Sequence, residues 1–150
     1  SLSNDGKELI LKSYINIGVA VDTPSGLIVP VIQDVDKKSL KQLTLELSQL
    51  SEKARLGTLL PTEMQGGCFT ISSLGGVGGT YFTPIINPPE VAIIGISKMK
   101  VEPIFSNKKF VARKILPFSL SYDHRVIDGV TAVKFTRTFA TILEDLSILV

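Results

Sequence analysis

Residues 116–129 read LPFSLSYDHRVIDG. Leu116, Phe118, Leu120 and Tyr122 alternate with Pro117, Ser119 and Ser121, the two-residue period of a strand with one apolar and one small polar face. The strand runs straight into Asp123 and His124. Beyond Gly129 the period changes. From about Val130 a helical pattern places Phe135, Phe139, Ile142, Leu143, Leu146 and Val150 on one stripe, as expected of a helix buried against a sheet.

The rest of the chain supplies more of the same layers. In residues 14–22, Ile15, Ile17, Val19 and Val21 alternate with Asn16, Gly18, Ala20 and Asp22, which predicts a strand with one apolar face. Thr23, Pro24, Ser25 and Gly26 form a turn, and a second strand over residues 27–35 returns from it. Pro30 has no amide hydrogen, so that strand belongs at an edge or carries a bulge. Ser39 and Gln42 are spaced as a capping box. Leu40, Leu43, Leu47, Leu50 and Ala54 then give one stripe, and Gly57 stands where a left-handed terminating residue is wanted, so a helix ends near Leu56. Six glycines between Gly66 and Gly79 flank a short strand over residues 68–72, and residues 91–97 form another. Strands alternating with two amphipathic helices predict an α/β fold, a two-layer sandwich.

A chain of 150 residues with 44% apolar side chains is one compact unit by default. Sixteen basic and 14 acidic residues are scattered along it, which offers no concentrated field for nucleic acid. No apolar stretch approaches the roughly 20 residues that span a bilayer, and SLSNDGKELI has no signal-peptide pattern. The single cysteine, Cys68, excludes an internal disulfide and a thiolate zinc site, so no metal is expected and a reducing, cytoplasmic compartment fits.

His124 is the one histidine, placed at a strand end beside Tyr122, Asp123, Arg125 and Asp128. Taken alone, such a residue is more often structural than catalytic. Gly76 and Gly78 are followed by Tyr81 where a dinucleotide loop needs a third glycine, and no Gly-Lys-Ser/Thr occurs. Ile71 and Ser73 around Ser72 do not make the G-x-S-x-G elbow of a serine nucleophile. The bland reading of Ser72 is a strand-end hydroxyl bonded to local backbone. Arg125 could partner Asp128 or another carboxylate, or simply lie on the surface.

Two strings change the balance. Residues 119–129, SLSYDHRVIDG, resemble the HxxxDG signature of dihydrolipoamide acyltransferases and of chloramphenicol acetyltransferase. Residues 66–75, GGCFTISSLG, are similar to the GG-x-FTIS-x-LG segment of the same acyltransferases, and FTPIINPPEVAIIGIS over residues 82–97 to the stretch that follows it. The block VAVDTPSGLIVPVIQDVDKKSL matches as well, so the resemblance runs from about Asn16 to the C-terminus. Its wording is closest to the acetyltransferases of bacterial pyruvate dehydrogenase complexes.

The resemblance implies the chloramphenicol acetyltransferase-like sandwich and transfer of an acetyl group between S-acetyldihydrolipoamide and coenzyme A. It makes His124 the general base, Ser72 the donor to the oxyanion, and Asp128 the residue that orders the loop; the place of Asp128 just before the last helix also suits a cap. Tyr122 and Phe82 would line the passages for the substrate arms, with core packing as the equal alternative. The lipoyl group would arrive on a separate domain, and no metal takes part. Members form homotrimers whose sites lie between subunits, assembling for bacterial pyruvate complexes into a 24-subunit cage that carries E1 and E3 through other domains. The apolar tail Leu146, Ile148, Leu149 and Val150 would suit contacts between trimers, burial within its own subunit being the alternative. Residues 1–150 would be the C-terminal part of the catalytic domain, the family's portion ahead of Tyr14 being absent. Two other readings stay open: a soluble acetyl-CoA-dependent enzyme acting on a small alcohol, and a non-catalytic scaffold core.

Overall fold

In chain order the elements are strands β1 (Ile17–Val19), β2 (Val21–Thr23), β3 (Gly26–Ile28) and β4 (Val31–Ile32), helix α1 (Leu40–Leu56), strands β5 (Phe69–Ser73), β6 (Ala92–Ile96), β7 (Lys100–Ser106), β8 (Lys109–Ile115) and β9 (Phe118–Tyr122), and helix α2 (Gly129–Glu144). The computed structural model describes residues 1–3 and 5–145, so the tail with Leu146, Ile148, Leu149 and Val150 lies outside the described residues. Five strands form one mixed sheet in the order β4-β1-β5-β6-β9, while β2-β3 and β7-β8 are separate hairpins. β1, β5 and β6 run parallel; β4 and β9 close the two edges antiparallel.

Register gives the sheet two unlike faces. Pairing of Ile17 with Phe69, Ile71 with Ile94 and Ile94 with Leu120 lines up large apolar side chains on one face. Gly18 with Thr70, Ser72 with Gly95 and Gly95 with Ser119 make the other face a floor of small residues. α2 covers the apolar face: the Phe135 ring lies 5.6 Å from Phe69, and Phe139 meets Phe118 edge-on at 5.2 Å. The loop over residues 74–91 covers the small face, with the Phe82 ring against Gly95 and the Phe82 carbonyl accepting a hydrogen bond from the Ser119 hydroxyl.

The strand expected over residues 14–22 is divided at Ala20. Its amide still bonds the Ile71 carbonyl (2.9 Å), but β2 pairs with β3 instead of with the main sheet. Its polar face is also the better buried one. Asn16 is buried because its side chain stitches three segments, accepting from the Asp34 amide (2.8 Å) and donating to the Gly66 carbonyl (3.0 Å) and to Gln33. Ile15, by contrast, is 50% exposed. The expected second strand is interrupted around Pro30, which lacks an amide donor: β3 stops at Ile28, and β4 resumes at Val31 on the sheet edge.

α1 begins and ends as its sequence dictates. The Ser39 hydroxyl accepts from the Gln42 amide, the Gln42 side chain accepts in return from the Ser39 amide (2.8 Å), and Gly57 terminates the helix at φ 68°. The helix packs on β2 and β4 through its C-terminal half, where Leu50 and Ala54 are buried; Leu40 at its start is 79% exposed.

The β7-β8 hairpin is an element the sequence reading missed. It turns through Asn107 and Lys108, both at positive φ (51° and 63°), a two-residue turn whose twist matches the strands it joins. Val101, Pro103, Phe105, Phe110 and Ala112 share its outer face, and Phe105 and Phe110 are 65% and 72% exposed.

Replacing Ser39 by alanine removes one half of the capping box and is expected to cost about 1 kcal/mol. For a chain of this size that lowers Tm by about 3 °C in a thermal melt followed by circular dichroism.

Candidate active site

His124 sits in a tight turn built on its neighbour. Asp123 donates its amide to the Val91 carbonyl (2.8 Å), which ties the turn to the start of β6, and its own carbonyl accepts from the amides of Val126 and Ile127 (3.0 Å each). The Asp123 carboxylate grips Arg125: Nε to Oδ1 is 3.0 Å, Nη2 to Oδ2 is 2.6 Å, and the Arg125 amide also bonds Oδ1 at 3.0 Å. Arg125 thus partners Asp123, and its guanidinium holds that carboxyl at a pKa of about 2. The imidazole of His124 is exposed, with its ring centroid 5.7 Å from that of Tyr122.

Asp128 caps α2. Its Oδ1 accepts from the Thr131 amide at 2.7 Å, the N-terminal bond that an aspartate in extended conformation is suited to make. That amide holds the Asp128 carboxyl below the usual carboxylate range, with a smaller contribution from nearby His124. The Tyr122 hydroxyl lies over the same helix start, 3.9 Å from where a Cβ on Gly129 would stand.

Ser72 occupies a different place. It lies on the small face of β5, half-buried, in a cleft of ≈ 520 Å³ lined also by Thr70, Leu74, Phe82, Pro84 and Ile93. Ser73, its neighbour in sequence, points to the opposite face and accepts from the Gly75 amide (3.4 Å), so the two serines are not interchangeable.

The sequence-derived residues therefore fall into two groups: His124, Tyr122 and Asp128 at the start of α2, and Ser72 with Phe82 in the cleft. Ser72 stands opposite Gly95, which stands opposite Ser119. His124 is five residues further along the chain from Ser119, so at 3.3 Å per residue and 4.8 Å per strand the serine and histidine of one chain are roughly 15–20 Å apart. One chain does not bring the two together. Among the described residues no group of three His, Cys, Asp or Glu side chains could hold a metal ion, and no helix is long and apolar enough to cross a membrane. Sequence reasoning also missed Glu90, a buried carboxylate beside this cleft, for which the only signal was an acidic residue at the mouth of the apolar run 91–97.

The model of the 2-oxoacid dehydrogenases acyltransferase catalytic domain matches residues 1–150. This chain belongs to that acyltransferase family. It is 57% identical over 150 residues to the dihydrolipoyllysine-residue acetyltransferase component of the pyruvate dehydrogenase complex of Haemophilus influenzae, covering 100% of this chain and 26% of that protein. A crystallographic and enzymatic study of a serine, a histidine and an asparagine in the catalytic mechanism of Azotobacter vinelandii dihydrolipoamide acetyltransferase provides a similar fold, with TM-score 0.94 and 56% identity over 100% of this chain and 62% of that one. The atomic structure of the cubic core of the pyruvate dehydrogenase multienzyme complex is matched equally well, with TM-score 0.94, 56% identity and the same coverage. The chain thus spans about a quarter of the length of the curated relative. The sheet flanked by helices in these neighbours is the sandwich that the acyltransferase motifs imply.

The Asp123–Arg125 pair makes a pH prediction. Because the folded carboxyl titrates at about 2, below its ordinary 3.8, its stabilisation is present in full above pH 4 and is lost as pH falls through 2. In Arg125→Gln the Asp123 midpoint should return toward the ordinary value, read by carbon NMR of the carboxyl.

Proposed function

We propose that the chain transfers an acetyl group between S-acetyldihydrolipoamide and coenzyme A, working between subunits of an acyltransferase core. The observation that carries this is the separation of Ser72 from His124 within one fold that presents both to cavities or solvent. In the Azotobacter vinelandii relative the serine precedes the histidine by 52 residues and the asparagine follows it by four. Ser72, His124 and Asp128 keep both intervals, with aspartate in the third place. Residues 1–150 are then the C-terminal part of the catalytic domain, and the lipoyl group is carried on a domain elsewhere. The lone cysteine suits a reducing cytoplasm.

Moving an acyl group between thiols needs a thiolate and a place for the oxyanion. Neutral His124 takes the proton from the coenzyme A thiol, whose sulfur attacks the acetyl carbonyl carbon. The Ser72 hydroxyl of a neighbouring subunit donates to the oxyanion of the tetrahedral intermediate. As the intermediate collapses, the C–S bond to dihydrolipoamide breaks and protonated His124 returns its proton to the departing sulfur. Asp128, ionised by its bond to the Thr131 amide, fixes the helix start against which Tyr122 and His124 lie. Phe82 roofs the cleft that admits a slender substrate arm to Ser72.

A homotrimer supplies the neighbour, and association of trimers into a 24-subunit cage with E1 and E3 attached through other domains is the larger assembly this reading implies. The exposed apolar face of the β7-β8 hairpin favours burial against other copies, because an apolar face this open is uncommon in a chain that stays alone. Phe105→Lys is expected to shift the assembly toward smaller species in analytical ultracentrifugation.

His124→Ala should lower kcat by about 10³-fold or more, and Ser72→Ala by about 10²-fold. Equimolar chains carrying one substitution each, unfolded and reassembled together, should regain about a quarter of parental activity, because random mixing in a closed symmetric trimer pairs an intact histidine with an intact serine at one site in four. No recovery would place both residues in a site within one chain and contradict the reading.

A further inference from the structure

Acyl transfer as described leaves Glu90 without a task, although its burial is costly. It is 7% exposed and lies between Pro89 and Val91 at the entrance to β6. Burial raises its pKa, opposed by the hydrogen bond from Thr70 and by the charge of Lys12. A carboxylate is taken from water at such a position only where it is well bonded, and an apolar side chain would fill the space at lower cost.

The bonds made by Glu90 and its neighbour Val91 run in two directions. Oε2 accepts the Thr70 hydroxyl at 2.6 Å, and Thr70 is fully buried. A bond of this length to a carboxylate is strong and directional. Thr70 stands two residues before Ser72 on the same face of β5, and both line the same cleft. The other oxygen occupies the space that only a glycine leaves at the strand entry: a Cβ at Gly67 would lie 2.3 Å from Oε1, and the Gly67 carbonyl accepts the Lys12 ammonium at 2.6 Å. In the opposite direction, the carbonyl of Val91, the next residue, accepts the Asp123 amide that anchors the His124 turn. Glu90 also walls a second cavity, of ≈ 460 Å³, together with Asp123 and Arg125, and Ile86 borders both this cavity and the serine cleft.

We propose that Glu90 is a positioning residue: its carboxylate fixes the serine strand through Thr70, while the adjoining Val91 carbonyl fixes the histidine turn. One dipeptide thereby sets both of the pieces that a chain contributes to two neighbouring sites. This inference rests on the acyl-transfer reading for its effect on rate, but not for the linkage itself.

The test compares Glu90→Ala, Glu90→Gln and Gly67→Ala in the full-length assembled protein. Glu90→Ala leaves the Thr70 hydroxyl without its acceptor, and kcat should fall about tenfold with KM for coenzyme A within about twofold. Glu90→Gln keeps an oxygen acceptor and should recover to within about threefold of the parent. Gly67→Ala, which pushes the carboxylate away from Thr70 without removing it, should behave like Glu90→Ala. Amide hydrogen exchange gives the readout that does not depend on activity: in Glu90→Ala the amides of residues 69–73 and of Asp123 should exchange at least about tenfold faster, while those of α1 do not change. Parental exchange in either segment overturns the inference whatever the assay reads, and so does a Gln variant whose exchange is as fast as that of the Ala variant. A fully active His124→Ala would overturn the acyl-transfer reading and leave the linkage standing.

Discussion

The register that locks β5 to β6 and β6 to β9 determines nearly everything about the site. Once Ser72 faces Gly95 and Gly95 faces Ser119, the serine lies near mid-sheet and the histidine beyond its end, and no side-chain rotation can close the interval between them. A backbone hydrogen-bond ladder is rigid on this scale, and a slip by one residue would send every side chain to the other face. On the acyl-transfer proposal, chemistry that needs both groups falls to an assembly of chains. The chain itself presents a serine-bearing floor at one place and a histidine turn at another.

The two faces of the sheet divide the remaining work. Large aliphatic and aromatic residues on one side anchor α2 and, through Asp128, the end of the histidine turn. On the other side the residues are small enough to leave a cleft, and the loop over residues 74–91 roofs it instead of filling it. Polar groups on that side are heavily bonded: Asn16 ties three segments, Thr70 meets Glu90, and Ser119 meets the Phe82 carbonyl. Burial of these groups is tolerated because each finds a partner.

Much of this was legible in the sequence wherever one local rule acted without competition. The alternation before Asp123 and the helical stripe after Gly129 gave β9 and α2, and Ser39, Gln42 and Gly57 gave both ends of α1. The motifs around Ser72 and His124 picked out residues that the fold presents to a cleft and to solvent. Other features were hidden because tertiary partners decided them. Ile15 and Asn16 reversed their expected burial, since an amide side chain that satisfies three segments outweighs the apolar preference of its neighbour. The β7-β8 hairpin lacked a clean alternation because apolar residues stand on both of its faces, Phe105 and Phe110 on one and Ile104 and Val111 on the other, and its Asn107-Lys108 turn is less conspicuous than one with glycine. Nothing local marked Glu90, because the threonine it serves lies 20 residues earlier in the chain and is brought to it by the pairing of β5 with β6.

The Phe82 ring occupies the volume that a Cβ on Gly95 would claim, at 2.7 Å from the nearest ring carbon. Bulk at these two positions is therefore a shared quantity: a methyl gained in the floor must be surrendered by the roof. Neither residue by itself encodes how wide the passage is. Relatives with a wider or narrower cleft should differ at both positions at once, size being traded between floor and roof while the turn at His124 is left alone.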